Sequence, residues 1–267
     1  MDRSHEEKKR RAFMKQAAGL GVLGIAAAGG IWAAKEFKPQ KGRLRPPGAV
    51  PEEQYLSMCI KCGQCLQVCP YDSIKLEDIE GKAGVGTAYI APLERGCYLC
   101  EAFPCVLACP TGALDHEANV IEKIHMGMAI IVNESACLAQ VGEPVTKEMI
   151  GRIYDHTQVI TEAERQARKV EIYDNDPEKV KLQKELLQKL SQEEGKSCEI
   201  CAKLCPFEPD PALAIGMINK NGGLIPEIRE ACVGCGACVE LCPTKVLQIV
   251  PYATYDEIYN KKGASHG

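Results

Sequence analysis

The sequence predicts an α+β chain of two tandem modules, in which short strands and helices surround cysteine-rich loops. Three observations predict it. The spacing C-x2-C-x2-C-x3-C-P occurs twice, from Cys59 to Pro70 and from Cys232 to Pro243. Each copy has a second, looser cysteine run beside it, and the four runs together use all but one of the 16 cysteines. Aromatic residues are only 5 % of the 267, so a large aromatic core is not what holds the modules together.

The run C-I-K-C-G-Q-C-L-Q-V-C-P at 59–70 has the ligand spacing of a bacterial-type 4Fe–4S cluster. Cys59, Cys62 and Cys65 fall on one tight loop and reach three irons of a cube, while Cys69 lies a helical turn further on and reaches the neighbouring cluster. Pro70 removes a backbone donor and turns the chain away, and Gly63 leaves space beside the main chain. Zinc knuckles would place two C-x2-C pairs on either side of a longer loop. The fold class that follows is two tandem bacterial dicluster ferredoxin-like modules, the second with a helical insertion, preceded by a twin-arginine signal segment.

The looser run of the first module is Cys97, Cys100, Cys105 and Cys109-Pro110, with a gap of four residues that contains Pro104. Crossed pairing then predicts one cluster on Cys59, Cys62, Cys65 and Cys109, and a second on Cys97, Cys100, Cys105 and Cys69. In the second module Cys198, Cys201 and Cys205-Pro206 are one ligand short, and the remaining cysteine is Cys137. The prediction is a third cluster on Cys137, Cys198, Cys201 and Cys242, and a fourth on Cys232, Cys235, Cys238 and Cys205. The alternative leaves Cys137 a buried free thiol and the third site a three-iron cluster. Four 4Fe–4S clusters account for every cysteine.

The chain begins with Arg10-Arg11, Phe13 and Lys15 ahead of a Gly- and Ala-rich apolar stretch from Ala17 to Ala34. This resembles a twin-arginine export signal, the alternative being a plain membrane anchor at the short limit for a bilayer span. Export of an already folded chain suits so many thiols, which would be exposed to disulfide formation in an oxidising compartment. Gly19 to Gly24 matches G-x-G-x-x-G but follows no strand, which excludes a dinucleotide site there.

The domain reading is a signal or anchor over 1–34, a Pro-rich linker over 35–57, a first dicluster module over 58–125, a second over 126–252 and a tail over 253–267. Short strands are predicted over Ser73–Ile79, Tyr89–Pro92, Met128–Val132 and Lys245–Val250. Residues 143–196 read as a charged helical insertion, with a helix starting near Asp176-Pro177-Glu178 and Leu182, Leu186 and Leu190 along one face. Nothing in the tail from Asp256 reads as an element. The net charge is −4, and without the six basic and three acidic residues of 1–34 the rest has 26 basic and 33 acidic residues, a balance of −7. That gives no basic face for nucleic acid. His116, His125 and His156 are isolated, and no nucleophile–base constellation, Walker loop or haem-attachment motif is present.

The order of these features resembles the NapG/MauM-type ferredoxins. Arg10-Arg11-x-Phe13 matches, as do Arg43-Leu44-Arg45-Pro46-Pro47-Gly48-Ala49, Cys62-Gly63-Gln64-Cys65 and Cys69-Pro70-Tyr71-Asp72. Cys109-Pro110-Thr111-Gly112-Ala113-Leu114-Asp115, Met126-Gly127 and Cys137-Leu138 continue the likeness. The departure is the long stretch after Cys137, which in that family is soon followed by the next C-x2-C pair. The resemblance implies a periplasmic electron carrier, not itself an enzyme. It would take electrons from a membrane quinol-oxidising iron–sulfur protein and pass them to a periplasmic reductase or cytochrome. Membrane association would come through the partner or an uncleaved signal. The rival is a fixed iron–sulfur subunit of a molybdenum-type oxidoreductase.

Overall fold

The computed structural model describes residues 42–79 and 84–260. The twin-arginine segment, the G-x-G-x-x-G match, the first part of the linker and the end of the tail lie outside them.

From Gly42 onward the predicted linker is part of the fold. Leu44, Arg45, Pro46 and Pro47 are buried, because this stretch lies along the next hairpin and supplies it with hydrogen bonds. The Leu44 carbonyl accepts from Ile90 N, and Arg45 donates to Thr87 Oγ1 (3.0 Å) and the Ala88 carbonyl (2.9 Å). The Arg45 guanidinium also pairs with Glu52 and lies over the Tyr55 ring, 4.8 Å from its centroid. Helix α1 (Glu52–Met58) carries both partners, with acidic Glu52 and Glu53 in its first turn, where the helix dipole favours them.

The two modules follow one plan. In the first, the cysteine runs carry one-turn helices α2 (Gln64–Gln67) and α3 (Pro104–Leu107). Between them stands an antiparallel hairpin of β1 (Ile74–Leu76) and β2 (Ala88–Ile90), with Ile74 opposite Ile90. Both strands are shorter than predicted; Pro92, which has no N–H to donate, follows β2 closely. A bridge from Ala49 to Leu114 closes the module.

In the second module β3 (Gly127–Ile131) and β6 (Leu247–Pro251) pair antiparallel, and β4 (Ile215–Lys220) and β5 (Gly223–Ile228) form the inner hairpin. The inner hairpin turns at Asn221-Gly222, both at positive φ, as a two-residue turn between right-twisted strands demands. One-turn helices α8 (Ile200–Lys203) and α9 (Ala237–Leu241) carry the cysteine runs.

The stretch between Cys137 and Cys198 is helical: α4 (Leu138–Val141), α5 (Lys147–His156), α6 (Glu162–Ala167) and α7 (Glu178–Ser191). Thr146 caps α5, and Thr161 with Glu164 forms a capping box on α6. Helix α7 buries Leu186, Leu187 and Leu190, leaves Leu182 half-buried, and lies on α5, where Tyr154 donates to the Leu187 carbonyl (3.3 Å). Pro177 precedes the first helical residue as the cap. The tail holds a further helix, α10 (Tyr255–Tyr259), with its own capping box of Thr254 and Glu257. Buried apolar residues of both modules and of α5 and α7 form one continuous core. Among the described residues no helix is long and apolar enough to cross a membrane.

Candidate iron–sulfur sites

Sixteen free thiols line four cavities. One is walled by Cys59, Cys62, Cys65 and Cys109 together with Tyr55 and Leu114. One is walled by Cys69, Cys97, Cys100 and Cys105. A third has Cys137, Cys198, Cys201 and Cys242, and the fourth has Cys205, Cys232, Cys235 and Cys238. The last cysteine of each run faces the cavity of the other run in its module. Cys137, at the start of α4, supplies the thiol that the 198–205 run lacks.

The backbone explains how three thiols of a run face one hollow. Lys61 and Gly63 in the first run, and Gly234 and Gly236 in the last, sit at positive φ. These paired left-handed residues curl the chain around the cavity. Leu99 does the same in the 97–109 run, whereas Cys201 already lies inside α8. Gly63 is therefore explained by its φ of 74°, since a Cβ there meets no protein atom within 4 Å.

Four thiols around a hollow are not a single-ion site. Among the described residues no three His, Cys, Asp or Glu side chains converge closely enough to hold one ion, as a tetrahedral zinc requires. A four-iron cube takes one thiolate per iron and needs the space between them, so the residues fit that group.

The walls are apolar, and the electrostatics follow. Burial pushes Cys65, Cys198 and Cys205 up to about 11 and Cys100 and Cys105 to about 12. It raises Cys97, Cys201, Cys235 and Cys238 as well. Burial also acts upward on Cys109, but the N–H groups of Leu114 and Thr111, the Thr111 hydroxyl and the Ala113 N–H outweigh it and hold that thiol below its ordinary value. An iron-free chain keeps most of these thiols protonated, and taking up iron releases the protons. Backbone donors reach the sulfurs from Ser73 (3.3 Å, to Cys69) and Leu114 (3.4 Å, to Cys109); such N–H groups tune a bound cluster's potential.

Family models described as a 4Fe–4S dicluster domain match residues 58–113 and again 196–247. The methylamine utilization ferredoxin-type protein MauM of Paracoccus denitrificans is 30 % identical over 239 residues, covering 87 % of this chain and 82 % of that one. The chain belongs to the NapG/MauM ferredoxin-type family. The ferredoxin-type protein NapG of Escherichia coli is 28 % identical over 244 residues, 87 % of this chain and 80 % of its own. MauM of Methylorubrum extorquens is 29 % identical over 230 residues, 84 % and 80 % respectively. No solved structure matches. As a member of this family with two dicluster domains and 16 cysteines, the chain is an iron–sulfur electron-transfer protein with four 4Fe–4S clusters.

His116, His125 and His156 line none of the four cavities; the His116 ring lies 2.7 Å from the Cys109 carbonyl. Sequence reasoning passed over the polar residues where the modules meet: Arg95, Glu240 and Gln183, all buried and hydrogen-bonded together. One signal was available. Glu240 is a carboxylate inside a cysteine run, at the position that Gln67 takes in the first run.

Proposed function

We propose that this protein passes single electrons along four clusters held by the quartets Cys59/Cys62/Cys65/Cys109, Cys69/Cys97/Cys100/Cys105, Cys137/Cys198/Cys201/Cys242 and Cys205/Cys232/Cys235/Cys238. The observation that carries the reading is that each of four cavities has one such quartet in its wall and no cysteine is left over. When bound, 4Fe–4S clusters supply one-electron storage and transfer. The chain's own part is to hold four thiolates in place, to keep water away with apolar walls, and to direct N–H groups at sulfur.

The cysteine-bearing modules span 58–125 and 126–252, with residues 42–57 packed onto the first and 143–196 as a helical insertion relative to the family. Cys62 and Ile60 are exposed beside the first quartet, which makes that end the face for exchange with a redox partner. Family membership and the Arg10-Arg11 segment support a periplasmic carrier exported by the twin-arginine route. Its donor is a membrane quinol-oxidising iron–sulfur protein, and its acceptor a periplasmic reductase or cytochrome. The membrane is reached through the donor or through an uncleaved signal.

The test is iron and acid-labile sulfide per chain after anaerobic purification, where about 16 of each is expected. Zinc in place of iron would overturn the reading. A Cys137→Ser chain with undiminished iron and spectra would remove Cys137 from its quartet. Replacing Arg10-Arg11 by lysines is expected to stop export, and unimpaired export would refute that route.

A further inference from the structure

The ligand loops of the two modules meet at one place. Cys97 N donates to the Cys235 carbonyl (2.9 Å), and Cys97 bridges Gly236. The backbones touch so closely that a Cβ on Gly96 would lie 2.6 Å from Ala237, and one on Gly236 2.8 Å from Pro92. A polar cluster is built around this contact. Helix α9 is buried throughout, yet it contains a carboxylate, Glu240, at 1 % exposure. Glu240 Oε1 accepts from Arg95 Nη1 (2.9 Å), and Oε2 accepts from Gly96 N (2.7 Å) and the Tyr98 hydroxyl (2.9 Å). All three donors, Arg95, Gly96 and Tyr98, lie on the loop that carries Cys97.

The helical segment holds the other side. Arg95 Nη2 donates to Gln183 Oε1 on α7 (2.8 Å), and Arg95 Nε to the Tyr71 carbonyl (2.8 Å). Gln183 Nε2 in turn donates to the Pro70 carbonyl (2.7 Å), next to Cys69, and to Asp72 Oδ2 (3.1 Å). Arg152 on α5 donates to the main-chain carbonyls of Glu240 and Cys242. A buried ion pair in itself adds little stability, but it fixes geometry, because each charge is stranded if its partner moves. The corresponding Gln67 of the first run is exposed.

We propose that the helices between Cys137 and Cys198 brace the module junction, with Arg95, Glu240 and Gln183 as positioning residues that set the separation of the second and fourth clusters and hence the rate of electron transfer between modules. This rests on the quartet reading given above. It assigns the helical segment a task within the protein.

The test uses the full chain, purified anaerobically, with the variants Glu240→Gln and Gln183→Met. Glutamine at 240 cannot accept from Arg95 and from Gly96 and Tyr98 together, and methionine at 183 keeps the shape without the hydrogen bonds. Three readouts are needed: iron and sulfide per chain, the low-temperature EPR line shape of the fully reduced protein, and the rate of electron transfer between modules after rapid partial reduction. Both variants are expected to retain the parental iron, to show an altered inter-cluster magnetic interaction, and to transfer electrons between modules severalfold more slowly, because tunnelling falls off exponentially with separation. Full iron with parental line shape and rate would overturn the proposal. If Glu240→Gln does not fold, Gln183→Met decides, since residue 183 lies far from every cysteine in sequence. A parental protein with far less than 16 iron would instead refute the quartets beneath it.

Discussion

Two runs with the same cysteine spacing end in opposite surroundings. Around Cys59 the chain faces solvent: Ile60 is 62 % exposed and Cys62 is exposed. Around Cys232 it is interior: Val233, Cys235 and Cys238 are 8 %, 8 % and 9 % exposed. The backbones agree, with left-handed residues at 61 and 63 and again at 234 and 236, so spacing dictates how the thiols converge. Exposure is decided by what packs outside the loop. For the last run that is β3, through Gly127, and the 92–99 loop of the other module; for the first run it is the turn at Gly86, which meets the Lys61 stem and leaves Ile60 and Cys62 exposed. Equal motifs thus occupy unequal places, one suited to exchange with a partner and the other to conduction inside.

The sharpest way to break this contrast is to put one charge at the matching position of each run. Val233→Glu buries an unpaired carboxylate and is expected to abolish recovery of soluble, iron-loaded protein. Ile60→Glu is expected to leave stability within about 0.5 kcal/mol and to slow electron exchange with the redox partner. Equal tolerance of both, judged by yield and iron per chain, would refute the contrast.

Glycine gives the next largest effect. A Cβ on Gly234 would lie 2.4 Å from the Gly127 backbone, so Gly234→Ala combines overpacking with left-handed strain and is expected to cost about 3 kcal/mol. Gly63→Ala carries the strain alone, about 1 kcal/mol. Rates of bleaching in guanidinium would rank them, because cluster loss makes unfolding irreversible. The same logic makes Lys61→Gly harmless.

The outer face of the helical segment, remote from both runs, has the smallest effect. The hydrogen bond from Arg168 holds the Asp155 carboxyl below its ordinary value, and the Tyr173 N–H does the same for Asp176. A group lowered in the folded state contributes stability above its unfolded value, near ~4, and that contribution is lost as pH falls through the folded value. Helicity of the segment is therefore expected to hold down to about pH 4 and to weaken below it, as far-UV circular dichroism would record. Weakening above that window would show that these carboxylates are not involved. Asp155→Asn should cost less than about 1 kcal/mol, since the pair is exposed and screened.

Cysteine spacing made the ligand loops legible, because chelation leaves few ways to place three thiols in seven residues. The crossed fourth thiol is expected from the ligand pattern of two-cluster ferredoxins, and Cys137 as a ligand from counting. The four predicted strands stand within a few residues of β1, β2, β3 and β6, and α7 was legible from its leucines, but β4 and β5 were not read. The Asn221-Gly222 turn and the Thr254/Glu257 capping box were written plainly and passed over, since neither lies near a cysteine. Residues 44–47 misled because prolines beside basic residues resemble a spacer. Their burial depends on Thr87, Ala88 and Ile90, some forty positions away. The Arg95–Glu240 pair joins residues 145 positions apart, and no local pattern announces such a contact.

The exchange of the last cysteine between neighbouring cavities bears on how the protein is made. On the quartet reading, neither site of a pair is complete until the run belonging to the other has folded, because each lends the other its final thiol. A maturation machinery cannot finish the sites one at a time; filling the first draws the stray cysteine of the second into register. Assembly within a module is thus cooperative, and a chain starved of iron should accumulate with modules empty or full and few half-filled between.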